Sequence, residues 1–162
     1  MEIMYKAIGH IRSEFGNKDQ TPVQSAFSAS EGTVELLPEY VPGLKDIEGF
    51  SHIILIYHFD RVEGYTLLQK PFIDGSRERG IFAIRHCDRP NPIGLSIVEL
   101  LGVKGNQLRI RGADVLDGTP LLDIKPFVRQ FDDRDNVRSG WVDEQCLKTR
   151  PMNSFTPKGL KR

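Results

Sequence analysis

The amino-acid sequence predicts an all-β fold: a single-domain, closed or nearly closed β-barrel with short helical turns. Short segments rich in β-branched and aromatic residues recur along the chain, and Gly and Pro separate them. No stretch keeps the 3.6-residue period of an amphipathic helix over about three turns. With 162 residues, of which 39% are apolar and 27% charged, the chain is long enough to enclose one core.

Three strands and one helical turn are predicted in the first part of the chain. Tyr5–Arg12 alternates loosely between apolar and polar residues, and Gly32–Leu37 does the same until Pro38 stops it. Leu44–Glu48 fits one helical turn. Ser51–Phe59 is the strongest strand prediction, because its apolar residues are mostly β-branched or aromatic.

Further strands are predicted in the second part of the chain, at Gly80–Arg85, Leu95–Val103, Gln107–Arg111 and Leu121–Lys125. Lys104-Gly105-Asn106 is typical of a hairpin turn between the second and third of these. The segment from Gln130 to Asn136 is polar and charged, which predicts a loop. Many short strands with this punctuation are typical of barrels.

Charge placement separates the chain into a barrel domain, predicted over residues 1–147, and a basic tail over residues 148–162. The formal net charge is +0, which excludes a general electrostatic attraction of the whole molecule to nucleic acid. After Glu144 the sequence contains basic residues and no acidic ones. Two interpretations stay open: the tail, including Lys148 and Arg150, contacts RNA phosphates, or it is a solvated chain end.

The cysteines and the hydropathy pattern predict a cytoplasmic protein with reduced thiols. Cys87 and Cys146 form no C-x-x-C pair, no secretory signal precedes the first strand, and no apolar run approaches the ~20 residues of a membrane helix. The longest apolar block lies in Ser51–Phe59 and is short enough to be a buried strand. We expect no membrane association.

Several common catalytic motifs are missing from the sequence. It has no G-x-G-x-x-G after a strand, no P-loop and no G-x-S-x-G nucleophile elbow. Its histidines lack the spacing of metal ligands, and the adjacent pair His86-Cys87 suits few zinc sites. The sequence therefore predicts no metal site.

The polar segment Arg85–Gly94 is the strongest candidate for a ligand-binding loop. Pro90 and Pro92 fix their own φ angles and restrict Arg89 and Asn91 to extended conformations. A stiff loop presents polar side chains with little entropy left to lose on binding. The structural alternative is a barrel corner closed by prolines, with solvated arginines.

Three other segments are weaker candidates for the same site. Asp114 precedes the turn Asp117–Pro120, where Asp117 also has a structural explanation as a turn residue. Carboxylates are suitable acceptors for ribose hydroxyls and exocyclic amines. His58 and Phe59 end the most apolar strand, where they serve either the core or a stacking surface for a purine. Thr21–Ser25 is a proline-stiffened polar loop.

Two ordered motifs carry a resemblance to a known family. Asp88–Gly94 reads DRPNPIG and is followed by LSIVEL, and Asp114–Pro120 reads DVLDGTP and is followed two residues later by DIKP. Together with IGHIRS at Ile8–Ser13 and GFSH at Gly49–His52, they resemble the TrmO family, also called TsaA-like or YaeB-like, over about Tyr5–Phe127.

The resemblance implies a cofactor, a substrate and an assembly. Members of the family use S-adenosylmethionine to methylate N6 of threonylcarbamoyl-adenosine at tRNA position 37, on a β-barrel that dimerises with the cofactor near the subunit interface. The cofactor contacts that it implies in this sequence are Val23, Gln24, Ser25, His58, Phe59, Arg85, Leu95, Asp114, Val115, Leu116 and Asp117. The family often has Pro-Arg-Gln where this chain has Pro22-Val23-Gln24, so Val23 is expected to contribute only its backbone.

Methylation of an exocyclic amine needs a hydrogen-bond acceptor that localises the lone pair and takes the proton. Asp88 and Asn91 are the predicted catalytic residues, with Asp114 as a further candidate. Arg85 and Arg89 are expected to neutralise the carboxylate of the methyl donor or an RNA phosphate, and Arg89, Lys148 and Arg150 are the predicted RNA contacts. Longer bacterial members have a second, C-terminal domain, for which the basic tail is expected to substitute only in part.

Two other functions stay open at this point. One is an RNA-binding or regulatory barrel without catalysis. The other is a methyltransferase that acts on another small molecule or nucleic acid.

Overall fold

Alternating buried and exposed side chains produce a barrel of short strands. The computed structural model describes residues 1–145; Cys146, Lys148, Arg150 and the rest of the predicted tail lie outside the described residues. The strands are β1 (Gly9–Arg12), β2 (Glu31–Leu36), β3 (His52–His58), β4 (Leu68–Gln69), β5 (Arg79–Gly80), β6 (Ile93–Lys104), β7 (Gln107–Arg111) and β8 (Thr119–Pro126). A one-turn helix, α1 (Arg129–Asp132), and short 3-10 turns connect or follow them.

Six of these strands close into a barrel, in the order β1, β2, β7, β6, β3, β8 and back to β1. Every pairing is antiparallel, and β4 and β5 form a separate two-stranded ribbon. This topology confirms the predicted all-β barrel and shows that it is closed. Because neighbours are antiparallel, β1, β3 and β7 end where β2, β6 and β8 begin, so their connecting loops gather at one end.

The long strand β6 links two parts of the barrel. Its first half pairs with β3, from Ile93 opposite His58 to Glu99 opposite His52. Its second half pairs with β7 after a register shift between Leu100 and Gly102, a bulge that bends the strand around the barrel. The predicted hairpin turn is present, and Gly105 adopts a φ of 61° in it, a conformation that glycine reaches without strain.

Inward-facing side chains from all six barrel strands form one core. Along β3, buried Ile53, Leu55 and Tyr57 alternate with more exposed neighbours. Val34 of β2 lies opposite Leu108 of β7, and both are 0% exposed. The fully buried large residues are Ile11, Val34, Ile53, Leu55, Ile81, Val98, Leu108, Ile110 and Leu121.

The predicted strand at Gly80–Arg85 is wrong. Only Arg79–Gly80 pairs as a strand, and Ile81–Ala83 forms a 3-10 turn. Ile81 and Ile84 are buried while Phe82 between them is 78% exposed. Side chains three residues apart share one face of a 3-10 turn, so this spacing buries both isoleucines without a strand.

Smaller differences concern the ends of elements. The first strand begins at Gly9 rather than Tyr5, since Tyr5 and Lys6 are exposed. The segment predicted as a charged loop from Gln130 begins with the single helical turn α1. The last barrel strand starts at Thr119, two residues before the predicted start.

Among residues 1–145, none of the helices has the length and apolar character needed to cross a bilayer.

Truncating the core between β2 and β7 should destabilise the barrel. We expect Leu108→Ala to lower the free energy of unfolding by about 2–5 kcal/mol, because Leu108 is fully buried and its removal leaves a cavity against Val34. Denaturant-induced unfolding measures the change. Leu68→Ala is the matched control, since Leu68 is 59% exposed and outside the barrel; equal losses in both variants would contradict this assignment of the core.

Candidate functional site

A cleft of about 430 Å³ opens at the end of the barrel where the β1–β2, β5–β6 and β7–β8 connections gather. Its volume is in the range of small-molecule sites. The lining residues come from these connections, from the β3–β4 and β4–β5 connections and from the adjoining strand ends: Lys18, Thr21, Pro22, Val23, Gln24, Tyr57, Phe59, Asp60, Arg61, Val62, Phe72, Phe82, Ile84, Arg85, His86, Cys87, Arg89, Ile93, Gly94, Leu95, Asp114, Val115, Leu116 and Thr119. Segments far apart in sequence therefore share one cavity.

A buried hydrogen-bonded chain lies at the inner wall of this cleft. The Tyr57 hydroxyl is 2.9 Å from Ser96 Oγ, and Ser96 Oγ donates to Asp114 Oδ1 at 2.6 Å. Tyr57 is 3% exposed and Ser96 2%, whereas Asp114 is only partly buried. The chain therefore connects the barrel interior to a carboxylate at the cleft.

The environment of Asp114 opposes its ionisation but does not prevent it. Burial among protein atoms raises the pKa of Asp114 to about 6, against the opposing effects of hydrogen bonds from Ser96 and the backbone N–H of Ser25, and of the positive charge of Arg85. Burial also raises the pKa of Tyr57 well above its usual range, so its hydroxyl stays protonated. A carboxyl group that titrates close to neutral pH suits a functional site.

Gly94 holds Tyr57 in place by leaving room for its ring. The two residues lie opposite each other across β6 and β3. A Cβ atom at Gly94 would come within 2.1 Å of Tyr57 Cε2, closer than any real contact. The glycine of the RPNPIG segment is therefore explained by packing, and not by the turn into the strand that its position after two prolines suggests.

Arg85 lies at the mouth of the cleft with a contact from the first loop. Arg85 Nη1 donates to Gln24 Oε1 at 3.1 Å, and the positive charge of Arg85 acts on both Tyr57 and Asp114. The residue is exposed. A guanidinium at this position is suited to bind a carboxylate or phosphate.

Arg89 has a structural contact in addition to its place in the cleft lining. Its Nη1 donates to the carbonyl oxygens of Ile81 and Ile84, at 3.1 and 2.7 Å, and its guanidinium lies 5.9 Å from the Phe82 ring. These bonds fix the 3-10 turn that carries Phe82. The predicted RNA contact of Arg89 stays a prediction.

His86, Cys87 and Asp88 bring their potential metal-ligand atoms within 4.8 Å of one another, a grouping that the sequence analysis did not predict. His86 Nδ1 accepts the backbone N–H of Asp88 at 3.1 Å, and Cys87 Sγ donates to Asp88 Oδ1 at 3.4 Å. An imidazole nitrogen has one lone pair, which this hydrogen bond uses. The geometry therefore supports a hydrogen-bonded turn, braced by stacking of Phe72 on His86 at 4.5 Å.

The second predicted constellation divides into lining and structural residues. Asp114, Val115 and Leu116 line the cleft. Asp117 instead braces the loop: its Oδ1 accepts the Ser13 N–H at 3.2 Å, and its carbonyl accepts Arg61 Nη2 at 2.6 Å. Both contacts join Asp117 to segments distant in sequence rather than closing a local turn, and its predicted cofactor contact stays a prediction.

Most of the predicted cofactor contacts come together in the cleft, namely Val23, Gln24, Phe59, Arg85, Leu95, Asp114, Val115 and Leu116. Ser25 contributes its backbone N–H to Asp114, whereas His58 alternates with inward-facing Tyr57 and is absent from the lining. The predicted catalytic residues are also outside the lining: Asp88 is 5% exposed and Asn91 is exposed. Their catalytic roles stay predictions.

Tyr57 and Ser96 are the functional candidates that sequence reasoning missed. Both occupy alternating inward positions of strands, where a tyrosine or a serine is usually explained by packing. Their partnership depends on residues 39 positions apart in sequence. Phe82 and Arg61, which also line the cleft, were missed because nothing local separates them from ordinary surface residues.

Residues 10–133 match the family model described as the tRNA-methyltransferase O N-terminal domain. The chain belongs to this family. A relative from Pyrococcus abyssi, named as a probable S-adenosyl-L-methionine-binding protein, is 54% identical over 147 residues, which cover 90% of this chain and 79% of the relative. The human tRNA (adenine(37)-N6)-methyltransferase is 31% identical over 151 residues, 87% of this chain and 34% of the human protein.

Solved structures of the same family share the fold. The crystal structure of TrmO from Pseudomonas aeruginosa aligns with a TM-score of 0.72 at 38% identity, covering 87% of this chain and 63% of that chain. Another TrmO crystal structure aligns with a TM-score of 0.75 at 38% identity, covering 86% and 64%. The chain therefore spans less than two thirds of these solved TrmO chains.

Adding a methyl group at Gly94 should disrupt the inner wall of the cleft. We expect Gly94→Ala to cost about 1–3 kcal/mol of stability or more, because the new Cβ overlaps the buried Tyr57 ring. Thermal and denaturant unfolding measure the loss. Gly43→Ala is the matched control, since no atom lies within 4 Å of a Cβ built there. If both variants were equally stable, the Tyr57 ring would be able to move away from the added methyl group without cost, which would contradict this packing constraint.

Proposed function

We propose that this member of the family is an S-adenosylmethionine-dependent methyltransferase that methylates N6 of threonylcarbamoyl-adenosine at position 37 of tRNA. The observation that carries the proposal is the single cleft that unites the loop around Gln24, the Arg85–Leu95 segment and Asp114–Leu116. The names of the Pyrococcus and human relatives support it.

The residues of the cleft fit the chemistry of this cofactor. Phe59, Phe82 and Leu116 offer apolar surface for a purine ring. Arg85 suits the α-carboxylate, and Asp114 suits a hydroxyl, amine or ammonium donor. When bound, S-adenosylmethionine supplies an electrophilic methyl group on a positively charged sulfur. The protein's task is to orient two reactants and provide a fitting electrostatic environment.

Among the three candidate hydrogen-bond acceptors, Asp88, Asn91 and Asp114, it is Asp114 that lines the cleft. Its ionised carboxylate accepts a hydrogen bond from a donor in the cleft while Ser96 and Ser25 hold it from behind. Asp88 is turned toward Cys87 and Asn91 lies outside the cleft. We therefore assign to Asp114 a hydrogen bond from S-adenosylmethionine and leave the acceptor of the substrate amine's proton unassigned.

Cationic residues around the cleft support an RNA substrate. Lys18, Arg61, Arg85 and Arg89 all line it, and positive groups around a base-sized cavity position phosphates without reading sequence. We propose that Lys18, Arg61 and Arg89 hold the tRNA backbone, while Arg85 binds the carboxylate of the cofactor. Contacts from Lys148 and Arg150 belong to the same proposal, although both lie outside the described residues.

An exposed apolar stripe on β6 supports a homodimer with the cofactor near its interface. Ile93, Leu95 and Ile97 point outward and are 41%, 47% and 40% exposed. The outer face of an antiparallel sheet is normally polar, and contiguous apolar patches often mark interfaces. Because Ile93 and Leu95 also line the cleft, a second copy on this stripe would cover its rim.

The decisive experiment combines binding and product analysis. We expect the protein to bind S-adenosylmethionine in calorimetry, and tRNA incubated with both to gain one methyl group on threonylcarbamoyl-adenosine, detected by mass spectrometry of nucleosides. Arg85→Ala should weaken cofactor binding about tenfold, since it removes a charge-assisted contact of about 1.5 kcal/mol. Arg109→Ala is the control, because Arg109 is exposed and pairs with Glu31 outside the cleft.

The outcomes separate the alternatives. Absence of binding heat would reject the cofactor assignment and leave an RNA-binding module. Binding with methylation of a different nucleoside, or of no tRNA nucleoside, would reject the substrate. Unchanged affinity of Arg85→Ala would remove Arg85 from the site.

A charge on the apolar stripe should separate the subunits. We expect Ile97→Glu to convert a dimer to a monomer in light scattering, because burying an unpaired carboxylate in an apolar interface costs several kcal/mol. Val137→Glu is the matched control at a 66% exposed position outside the barrel strands. A monomeric parent protein, or a dimeric Ile97→Glu variant, would refute this interface.

A further inference from the structure

The hydroxyl groups behind Asp114 form a chain whose direction is fixed by the state of the carboxylate. Ser96 has one hydroxyl proton, and it points to Asp114 Oδ1 over 2.6 Å. Tyr57 then must donate its own proton to Ser96 Oγ, which is 2.9 Å away. Each donor strengthens the next one, because hydrogen bonds in a chain polarise one another.

The hydroxyl groups of this hydrogen-bonded chain lie in an otherwise apolar part of the core. Tyr57 and Ser96 are surrounded by Ile11, Leu55, Val98 and other apolar residues of the barrel interior. Burying two hydroxyl groups costs free energy unless each is hydrogen-bonded, and phenylalanine and alanine would fill the positions without that cost. Within residues 1–145, the two hydroxyl groups form hydrogen bonds only with each other and with Asp114.

We propose that Tyr57 and Ser96 are positioning residues that hold the Asp114 carboxylate in its ionised, hydrogen-bond-accepting form, so that cofactor affinity depends on the Tyr57–Ser96–Asp114 chain. The inference rests on the proposed function, since it takes Asp114 as the cleft's acceptor for S-adenosylmethionine. Tyr57 and Ser96 would then influence the ligand through Asp114.

The groups that face Asp114 determine how the affinity should vary with pH. Ser96 donates to it from β6, the Ser25 N–H donates from the 3-10 turn Ser25–Phe27, and Arg85 adds a positive charge from the β5–β6 connection. Tyr57 on β3 reaches it through Ser96. Each of these groups favours the ionised carboxylate as long as the Tyr57 hydroxyl is neutral. A negative phenolate would oppose it, but the pKa of Tyr57 is too high for that form to occur near neutral pH.

Loss of a donor should therefore raise the pKa of Asp114 from about 6. Cofactor affinity is then complete above this pKa and falls as pH decreases through it. Removing the Tyr57 or Ser96 hydroxyl moves the fall to higher pH and leaves the affinity at alkaline pH nearly unchanged. A purely structural defect would instead lower the affinity by a similar factor at every pH.

The test measures the affinity for S-adenosylmethionine by calorimetry between pH 5 and pH 8.5 for the parent protein, Tyr57→Phe and Ser96→Ala. With a pKa increase of about one unit, Tyr57→Phe should bind about fivefold more weakly than the parent at pH 6 and less than twofold more weakly at pH 8.5. Ser96→Ala should show the larger shift, because it removes the direct donor. Taking ratios to the parent cancels the titration of the ligand itself.

Tyr40→Phe is the matched control, since Tyr40 is half-buried in the 3-10 turn Pro38–Leu44 and absent from the cleft lining. As a second readout, the Asp114 carboxyl carbon is titrated by NMR without ligand, its signal identified by its loss in Asp114→Asn. We expect its midpoint to move upward in both variants. If one variant fails to fold, the other still gives both readouts.

The outcomes distinguish the two levels of the proposal. A parent protein that binds no S-adenosylmethionine at any pH would overturn the proposed function. Normal binding with pH-independent losses in the variants, or with an unmoved Asp114 midpoint, would overturn the positioning role alone.

Discussion

The contact between the Tyr57 ring and Gly94 is the constraint on which the site depends. It joins β3 to β6 where the barrel opens into the cleft, and it admits no Cβ atom on the β6 side. With the ring held there, the Tyr57 hydroxyl meets Ser96, and Ser96 meets Asp114. Packing inside the barrel therefore helps to position a cleft carboxylate, together with the Ser25 N–H and the contacts that fix its own loop.

The closed barrel makes this possible with few residues. Closure leaves no unpaired strand edges and directs the β1–β2, β5–β6 and β7–β8 connections to one end. Hydrogen bonds then fix each connection locally: Arg89 holds the 3-10 turn at Ile81–Ala83, and Asp117 ties its loop to Ser13. A rigid scaffold with ligand-facing loops is a common arrangement for binding sites.

The surroundings of the cleft divide into two kinds of surface. Its inner wall carries buried polar groups, whereas its rim combines cations with exposed apolar residues such as Phe82 and Leu95. A small ligand suits the wall, and a macromolecule or a second copy of the chain suits the rim. The proposed tRNA methylation and the proposed dimer would place both kinds of partner at the same end of the barrel.

Local sequence patterns are enough to predict the fold class and most of the segments that line the cleft. The β-branched and aromatic content of Ser51–Phe59, the prolines in the Arg85–Gly94 loop and the turn at Asp117 are local patterns, which can be recognised without knowledge of their partners. The same reasoning missed the 3-10 turn at Ile81, because a short apolar run such as Gly80–Ile84 also fits a buried strand. The three-dimensional arrangement was needed to find that Asp88 and Asn91 lie outside the cleft lining. It was also needed to find the hydrogen-bonded chain from Tyr57 and Ser96 to Asp114. These assignments depend on pairing between strands distant in sequence, which no local pattern encodes.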